Sequence, residues 1–420
     1  MHSPPSIAII GGGPSGLLFA RLLEVNGLKD YVVYERDESF TPGPWQQGGS
    51  LDLHGPSGQL ALKEAGLYDE FNKFYARWDA SRIHIVKPSG ETVGRFGEGR
   101  DAPEIDRLQL RQLLLGSIPS QKIQWGHGVR YLERKETDDL EKRDNGCTIH
   151  FSNGCSATGF DLIVGADGGW SKVRPLLTPA QPVYSGKMYI EGKISQSNPT
   201  YKVAHELAGP GMMMVMGPSK SLALQQVADS TYRMYFGVVV PKDFYQHRDG
   251  GAVEKTEAVR ELMLSSERFF ASWAPHLKDI AKNAEGPFRA WALHHLRLED
   301  VGWKRDTAPG VTLLGDAAHL STPFVGEGVN CAMYDAVVLT KCLIELFGRG
   351  SEVENVQKAS LENALASYEA DMFERGRDLI RRSAESEAVI FSENAVEDVL
   401  GFVDQAKEDL LYDVKASSGK

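Results

Sequence analysis

The sequence predicts an α/β chain: a parallel-sheet domain interrupted by a second, sheet-based domain and followed by a helical C-terminal segment. Three observations carry that prediction. First, short apolar runs at Ile7–Ile10, Asp161–Val164 and Val311–Leu314 each lead into a glycine-containing turn: Gly11-Gly12-Gly13-Pro14-Ser15-Gly16, Gly165-Ala166-Asp167-Gly168 and Gly315-Asp316-Ala317-Ala318-His319. Second, strand-like patterning fills Tyr184–Val240, between the second and third turns. Third, the chain reads as helical from Val329 nearly to its end, with a break around Gly348–Ser351.

In chain order, Ile7–Ile10 is an apolar run stopped by glycine, the signature of a buried strand. Leu17–Val25 has helical apolar spacing and Gly27 follows as a stop signal. Tyr31–Tyr34 is the next strand and Glu35 closes it, completing a βαβ unit. Ser57–Phe71 reads as a helix, Ile83–Val86 and Thr92–Val93 as strands about the Pro88-Ser89-Gly90 turn, and Arg107–Leu115 as a helix ended by Gly116 and Pro119. The charge run Glu133–Gly146 reads as an exposed hairpin loop. The inserted strands are Met188–Ile190, Met212–Met216, Leu222–Leu224 and Tyr232–Val240, and Glu254–Lys282 is expected to be helical. The expected division is residues 1–75, 104–180 and 290–345 for the first domain, 76–103 and 181–289 for the second, and 346–420 for C-terminal helices.

Composition bounds the function. The 420 residues are 42% hydrophobic and 25% charged, an ordinary globular balance. A net charge of -11 argues against bulk attraction to nucleic acid. Cys147, Cys155, Cys331 and Cys342 show no paired spacing and no cluster with histidine, so neither a disulfide framework nor a metal site is expected. Met1–Ser6 lacks the features of a secretory signal, and no apolar run approaches the ~20 residues that span a bilayer. A reduced, cytoplasmic protein is the expectation.

The motifs carry the chemistry. In Gly11–Gly16 the GxGxxG spacing lets backbone approach a pyrophosphate, and the helix that follows offers free N–H groups and a positive dipole end. Gly11, Gly13, Ser15 and Gly16 are the binding positions. Glu35, about 20 residues on, can accept from an adenosine ribose. Arg36 either stacks on the adenine or is a surface charge. Asp167 either holds a ribose hydroxyl or forms an Asx-turn. Asp316 can accept from ribityl hydroxyls. The loop Pro323–Asn330 opens a helix whose N-terminus can stabilise charge on an isoalloxazine ring, with Pro323, Gly326, Gly328, Val329 and Asn330 at that end. His319 reads as a structural hydrogen-bonding residue rather than a base. Together and in this order, the motifs describe one FAD wrapped by distant parts of a Rossmann-like chain, held non-covalently because no attachment motif is present.

The motif set resembles the single-component (class A) FAD-dependent aromatic hydroxylases over essentially the whole chain. At Gly48–His54, Glu104–Arg111, Gly168–Arg174 and Gly315–Asn330 it is similar to the tetracycline-inactivating monooxygenases and their fungal and bacterial relatives. The resemblance implies that Glu35 and Arg36 bind the adenosine half, that Arg107 and Arg111 contact the FAD with Asp52 nearby, and that Asp167 serves both FAD and NADPH. It implies a monooxygenase that uses NADPH or NADH and O2, places one oxygen atom on an aromatic, enolic or polyketide-type molecule, and serves secondary metabolism or antibiotic inactivation. The positions matching the tetracycline pocket are Glu191, Met212, Leu224, Gln226, Tyr235 and Ile390, so its polar grip is largely replaced. With Met214, Gly237 and Phe324 these form the expected substrate set, an apolar pocket with few polar handles. No protein nucleophile is expected, no membrane or nucleic-acid partner, and a monomer. Alternatives are a reductase or epoxidase on the same fold, or a non-catalytic flavin redox sensor; the WxWxIP motif of flavin halogenases is absent.

Overall fold

Fully apolar strands joined through helices pair in parallel because the helices cover both faces of the sheet. The computed structural model describes residues 4–41, 48–134, 145–244, 251–252, 256–347 and 358–403. Residues 135–144 of the charge run, the break at Gly348–Ser351 and residues 404–420 lie outside them. The chain divides into two units: residues 1–76, 104–183 and 294–383, and residues 77–103, 184–293 and 384–420. The helix Lys358–Ile390 belongs to the first unit through Ser383 and to the second from Ala384.

In the first unit a five-stranded parallel sheet has the order Val311–Leu313, Leu162–Gly165, Ile7–Ile10, Tyr31–Tyr34, Ile123–Gln124. Ile7 stands level with Leu162 on one side and Tyr31 on the other, and Ile163 with Val311. Every residue of Ile7–Ile10 and Leu162–Gly165 is buried. Pro14 begins the helix Pro14–Val25, where a missing N–H is harmless. The expected helix Ser57–Phe71 is instead a π-turn at Gly55–Gln59, a short helix at Leu60–Glu64 and a second at Tyr68–Phe74. The break falls at Gly66, whose φ of 67° ends the preceding turn in a conformation that favours glycine.

The second unit is an eight-stranded sheet in the order Gly251–Ala252, Glu285–His295, Val183–Ile194, Tyr232–Val239, Lys220–Gln226, Met212–Gly217, Ile83–Val86, Thr92–Phe96. The helices Tyr201–Ala208, Thr256–Ser265 and Pro275–Asn283 supply Ala204, Ala208, Val259, Met263, Leu277 and Ile280 to one apolar cluster with this sheet. The sheet contributes Met188, Ile190, Met213, Val215, Leu222, Leu224, Met234 and Phe236. The continuous helix expected at Glu254–Lys282 is split, with Pro275 starting its second half. Among the described residues, no helix is long and apolar enough to cross a membrane.

Candidate active site

The three glycine turns, hundreds of residues apart in sequence, follow three adjacent parallel strands. Gly11, Gly165 with Asp167, and Gly315 therefore lie side by side at the carboxyl edge of one sheet, where open α/β sheets bind ligands. The contacts are close. A Cβ on Gly11, whose φ is 111°, would lie 2.3 Å from the Ala166 carbonyl oxygen, and one on Gly16 would lie 2.2 Å from the Gly11 carbonyl oxygen. These two glycines let backbone cross backbone. Gly13 differs: its Cβ position meets nothing within 4 Å, so its backbone faces open space at the start of the helix. Ser15 is buried beside Gly315.

Glu35 is buried at 7% exposure and braces this loop. Its Oε2 accepts the Gly12 N–H at 2.5 Å and its Oε1 accepts the Asp37 N–H at 3.0 Å. Arg111 supports the same loop from the helix Arg107–Gly116. It donates from Nε to the Gly12 carbonyl at 3.1 Å and pairs with Asp37 at 2.9 Å. Arg111 thus acts on the loop's backbone, a role its motif did not reveal; the acid two residues after Glu35 was the available signal. Arg36 is exposed.

Asp167 accepts the Lys172 N–H through Oδ2 at 2.6 Å, closing the turn, while its buried Oδ1 has no hydrogen-bond partner among the described residues. Burial pushes its carboxyl up from the ordinary value, opposed by hydrogen bonds from Ser171 and Lys172. Asp316 starts the short helix Asp316–His319. Its side chain is solvent-accessible. Burial pushes its pKa up; the charges of His319, Arg107 and Arg174 oppose that shift. Arg174, quoted in the motif without a role, is a buried cation that donates to the Ala317 and Gly169 carbonyls.

Asn330 is a staple. Its Nδ2 donates to the Asp52 carbonyl at 2.8 Å and its Oδ1 accepts the His54 N–H at 2.8 Å. That ties Asp52 to the start of the helix Gly328–Phe347, and Asp52 Oδ1 lies 3.6 Å from the Cβ position of Gly326. Val329 and Gly328 open that helix half-buried, and Pro323 is exposed at the loop's start. His319 is structural: its Nε2 meets Asp335 Oδ2 at 2.7 Å, and Asp335 also accepts the Gly315 N–H and pairs with Arg375 at 2.6 Å. Burial opposes protonation of His319, but Cys331 and Asp335 hold its pKa well above the ordinary histidine value. His319 and Cys331, expected to form no cluster, do meet, at 3.8 Å. Arg375 supplies the cation for that group, with NH1 2.6 Å from Asp335 and 3.9 Å from the Cys331 sulfur.

In the second unit, strand parity sorts the expected substrate residues. Register sets Met214 beside Ala223 and Ala223 beside Tyr235, and Tyr235 stands opposite Glu191. Met212, Met214, Glu191, Tyr235 and Gly237 therefore share the sheet face opposite the helices. Leu224 and Gln226 lie on the other face: Leu224 is fully buried in the helix-covered cluster, and Gln226 donates to the Tyr232 hydroxyl at 3.1 Å. A one-residue offset flips a side chain to the other face. Ile390 is buried, and its neighbour Phe391 lies 3.2 Å from the Cβ position of Gly237. Phe324 is half-buried in the first unit, in the turn Pro323–Val325. Glu191, buried at 5% exposure, is held by Arg233 at 3.1 Å and Trp291 Nε1 at 2.8 Å.

The first-unit residues fit an FAD. The open side of Gly13 suits a pyrophosphate, the Asp167 Oδ1, which has no hydrogen-bond partner among the described residues, can take a hydroxyl, and the solvent-accessible Asp316 carboxylate offers acceptors within the influence of Arg107 and Arg174. The comparisons agree. Residues 127–355 match the FAD binding domain family. The monooxygenase penA of Penicillium thymicola is 30% identical over 94% of this chain and 97% of its own length. The monooxygenase asqM of Emericella nidulans is 29% identical over 93% and 96%. Among solved structures, Klebsiella pneumoniae HpxO complexed with FAD and uric acid has a TM-score of 0.72, with 24% identity, 96% of this chain and 92% of that one covered. The tetracycline destructase Tet(51) has a TM-score of 0.67 at 16% identity, with 97% and 96% covered. The chain belongs to the FAD binding domain family and is an FAD-dependent flavoprotein monooxygenase.

Proposed function

We propose that the enzyme oxygenates a small aromatic or enolic molecule of the polyketide or secondary-metabolite type, with NADPH or NADH as reductant. The observation that carries the FAD half is the convergence of Gly11, Asp167 and Gly315 on adjacent strand ends. The relatives penA and asqM support a monooxygenase, and the relatives that share this chemistry include urate and hydroxybenzoate enzymes.

Bound FAD supplies the redox chemistry, accepting a hydride and activating O2. The protein's part is to bind, orient and exclude water. The Gly13 N–H end of the helix Pro14–Val25 would hold the pyrophosphate, and Glu35 would take the adenosine ribose through its remaining lone pairs. Asp316 and Asp167 would accept from ribityl or ribose hydroxyls, with Arg107 and Arg174 balancing the phosphate charge nearby. The N-terminus of the helix Gly328–Phe347, fixed by Asn330, would offer donors to negative charge on the ring. The face bearing Met212, Met214, Glu191, Tyr235 and Gly237 would receive the substrate: thioethers and phenol rings give an apolar, adaptable surface.

A cytoplasmic location fits the four free cysteines. We propose a monomer, which sedimentation at 46.2 kDa would test. The functional test is a panel of phenols, enols and polyketides. Stimulated NADPH oxidation with matching O2 uptake supports the reading; no stimulation by any member, in a protein that retains FAD, contradicts it.

A further inference from the structure

We propose that Arg233, held by Glu191, is the residue that selects the substrate, by donating to an enolate or phenolate oxygen carried on the substrate's ring. This rests on the reading of the enzyme as a monooxygenase with its substrate on that sheet face.

Arg233 lies on the same face as Met212, Met214 and Tyr235. It stands level with Gln225, which stands level with Met212, so it is two strands from Met212. On its other side it stands level with Lys193, which makes it the diagonal neighbour of Glu191. A buried carboxylate is costly unless it is paired. Glu191 meets that need with two bonds, one from Arg233 NH1 and one from Trp291 Nε1. Those two bonds fix the Glu191 carboxylate, which in turn orients the guanidinium.

The guanidinium has donors left over. A guanidinium carries five N–H groups in a fixed plane. Among the described residues Arg233 has one hydrogen-bond partner, Glu191, and its Nε is buried with none. Its side chain is 32% exposed, so the remaining donors reach the surface of the face. Those exposed donors, rather than the buried Nε, are the ones a ring oxygen can reach, and a charge-assisted bond to an oxyanion is stronger than one to a neutral acceptor. Two lysines of this face are already paired: Lys187 with Glu387 at 2.6 Å, and Lys193 with Glu285 at 3.6 Å.

The chemistry of oxygen transfer fits this group. The carbon beside an enolate or phenolate oxygen is electron-rich, so the atom that Arg233 would recognise also activates the carbon to be oxygenated. Because Glu191 offsets the arginine's charge, the oxyanion would be held without a full opposing charge. The half-buried Met212, Met214 and Tyr235 beside it would take the ring.

The test compares 4-hydroxycoumarin, an acidic enol, with 4-methoxycoumarin, its neutral ether, by flavin difference spectra on the FAD-loaded enzyme at neutral pH. The wild-type enzyme should bind the enol more tightly than the ether. Arg233→Gln should weaken enol binding by tenfold or more and leave ether binding within about twofold, and Arg233→Lys should fall between. Glu191→Gln can accept only one of the two bonds from Arg233 and Trp291, so it should loosen the guanidinium and weaken enol binding while leaving ether binding within about twofold; a merely structural carboxylate would lose affinity for both compounds together. Full FAD content in each variant verifies folding. The proposal is overturned if the wild type binds no enol, if Arg233→Gln binds it as the wild type does, or if the variant loses both compounds equally. Stimulated NADPH oxidation by other compounds tests the monooxygenase reading separately, because its outcome does not depend on Arg233.

Discussion

Replacing Gly13 with alanine should move two properties of the enzyme in opposite directions. Gly13 has φ -81° and ψ 178°, a backbone conformation open to any residue. Its Cβ would meet nothing within 4 Å. Alanine therefore introduces no clash in the FAD-free protein, and the loss of glycine's freedom in the unfolded chain should stabilise that form by about 0.4–1 kcal/mol. The added methyl would sit where the pyrophosphate must approach. Losing one charge-assisted backbone bond to phosphate costs about 1.5–3 kcal/mol, or roughly tenfold to a hundredfold in FAD affinity. Gly16→Ala is the contrast: its Cβ would lie 2.2 Å from the Gly11 carbonyl oxygen, so the loop itself must distort and the FAD-free protein should lose stability. Thermal melts of FAD-free protein and fluorescence titration with FAD measure both effects. An alanine at 13 that binds FAD like the wild type, or that destabilises the FAD-free protein, refutes the assignment of this open space to the pyrophosphate.

Asp316→Ala should lower FAD affinity by roughly tenfold or more through loss of a charged acceptor, read by the same titration. Leu224→Ala should cost about 2–5 kcal/mol of stability with KM unchanged, whereas Met214→Ala should alter KM, because the two lie on opposite faces of the sheet. Burial raises the pKa of Glu369 from 4.5 to about 7, with Arg305 and Thr312 opposing the shift. A carboxyl whose folded pKa lies above its unfolded value contributes stability that is fully present at low pH and is lost as pH rises through the folded value. Chemical denaturation across that window should show the wild type losing stability relative to Glu369→Gln; parallel curves would refute the assignment.

Much of the first unit was legible because its signals are local. Apolar strand, glycine turn and helix follow one another at Ile7–Val25, and the turns at Gly165 and Gly315 repeat the pattern after equally apolar strands. Their convergence followed from right-handed parallel topology rather than from any contact visible in the chain. The roles of Arg111 and Asn330 were harder to read, because both act through backbone groups: Arg111 through the Gly12 carbonyl, and Asn330 through the carbonyl of Asp52 and the amide of His54. The face on which Leu224 and Gln226 lie could not be read from parity. All five residues from Lys220 to Leu224 are buried, so this strand shows no alternation to mark its faces, and the assignment needed the register to Met213 and Met234. The helix Tyr201–Ala208 was hidden inside a run of strands, and the strand Glu285–His295 had no alternation to mark it. The partners of Glu191 come from two further strands, and pairing of that kind has no sequence signal.

The central claim is that this protein is an FAD-dependent monooxygenase, and isotopically labelled O2 tests it most directly. The FAD-loaded enzyme is turned over with NADPH and a compound that stimulates it, and the product is weighed by mass spectrometry. The account predicts one labelled oxygen atom in each product molecule. Product without label, or oxygen recovered only as hydrogen peroxide with every stimulating compound, would contradict it.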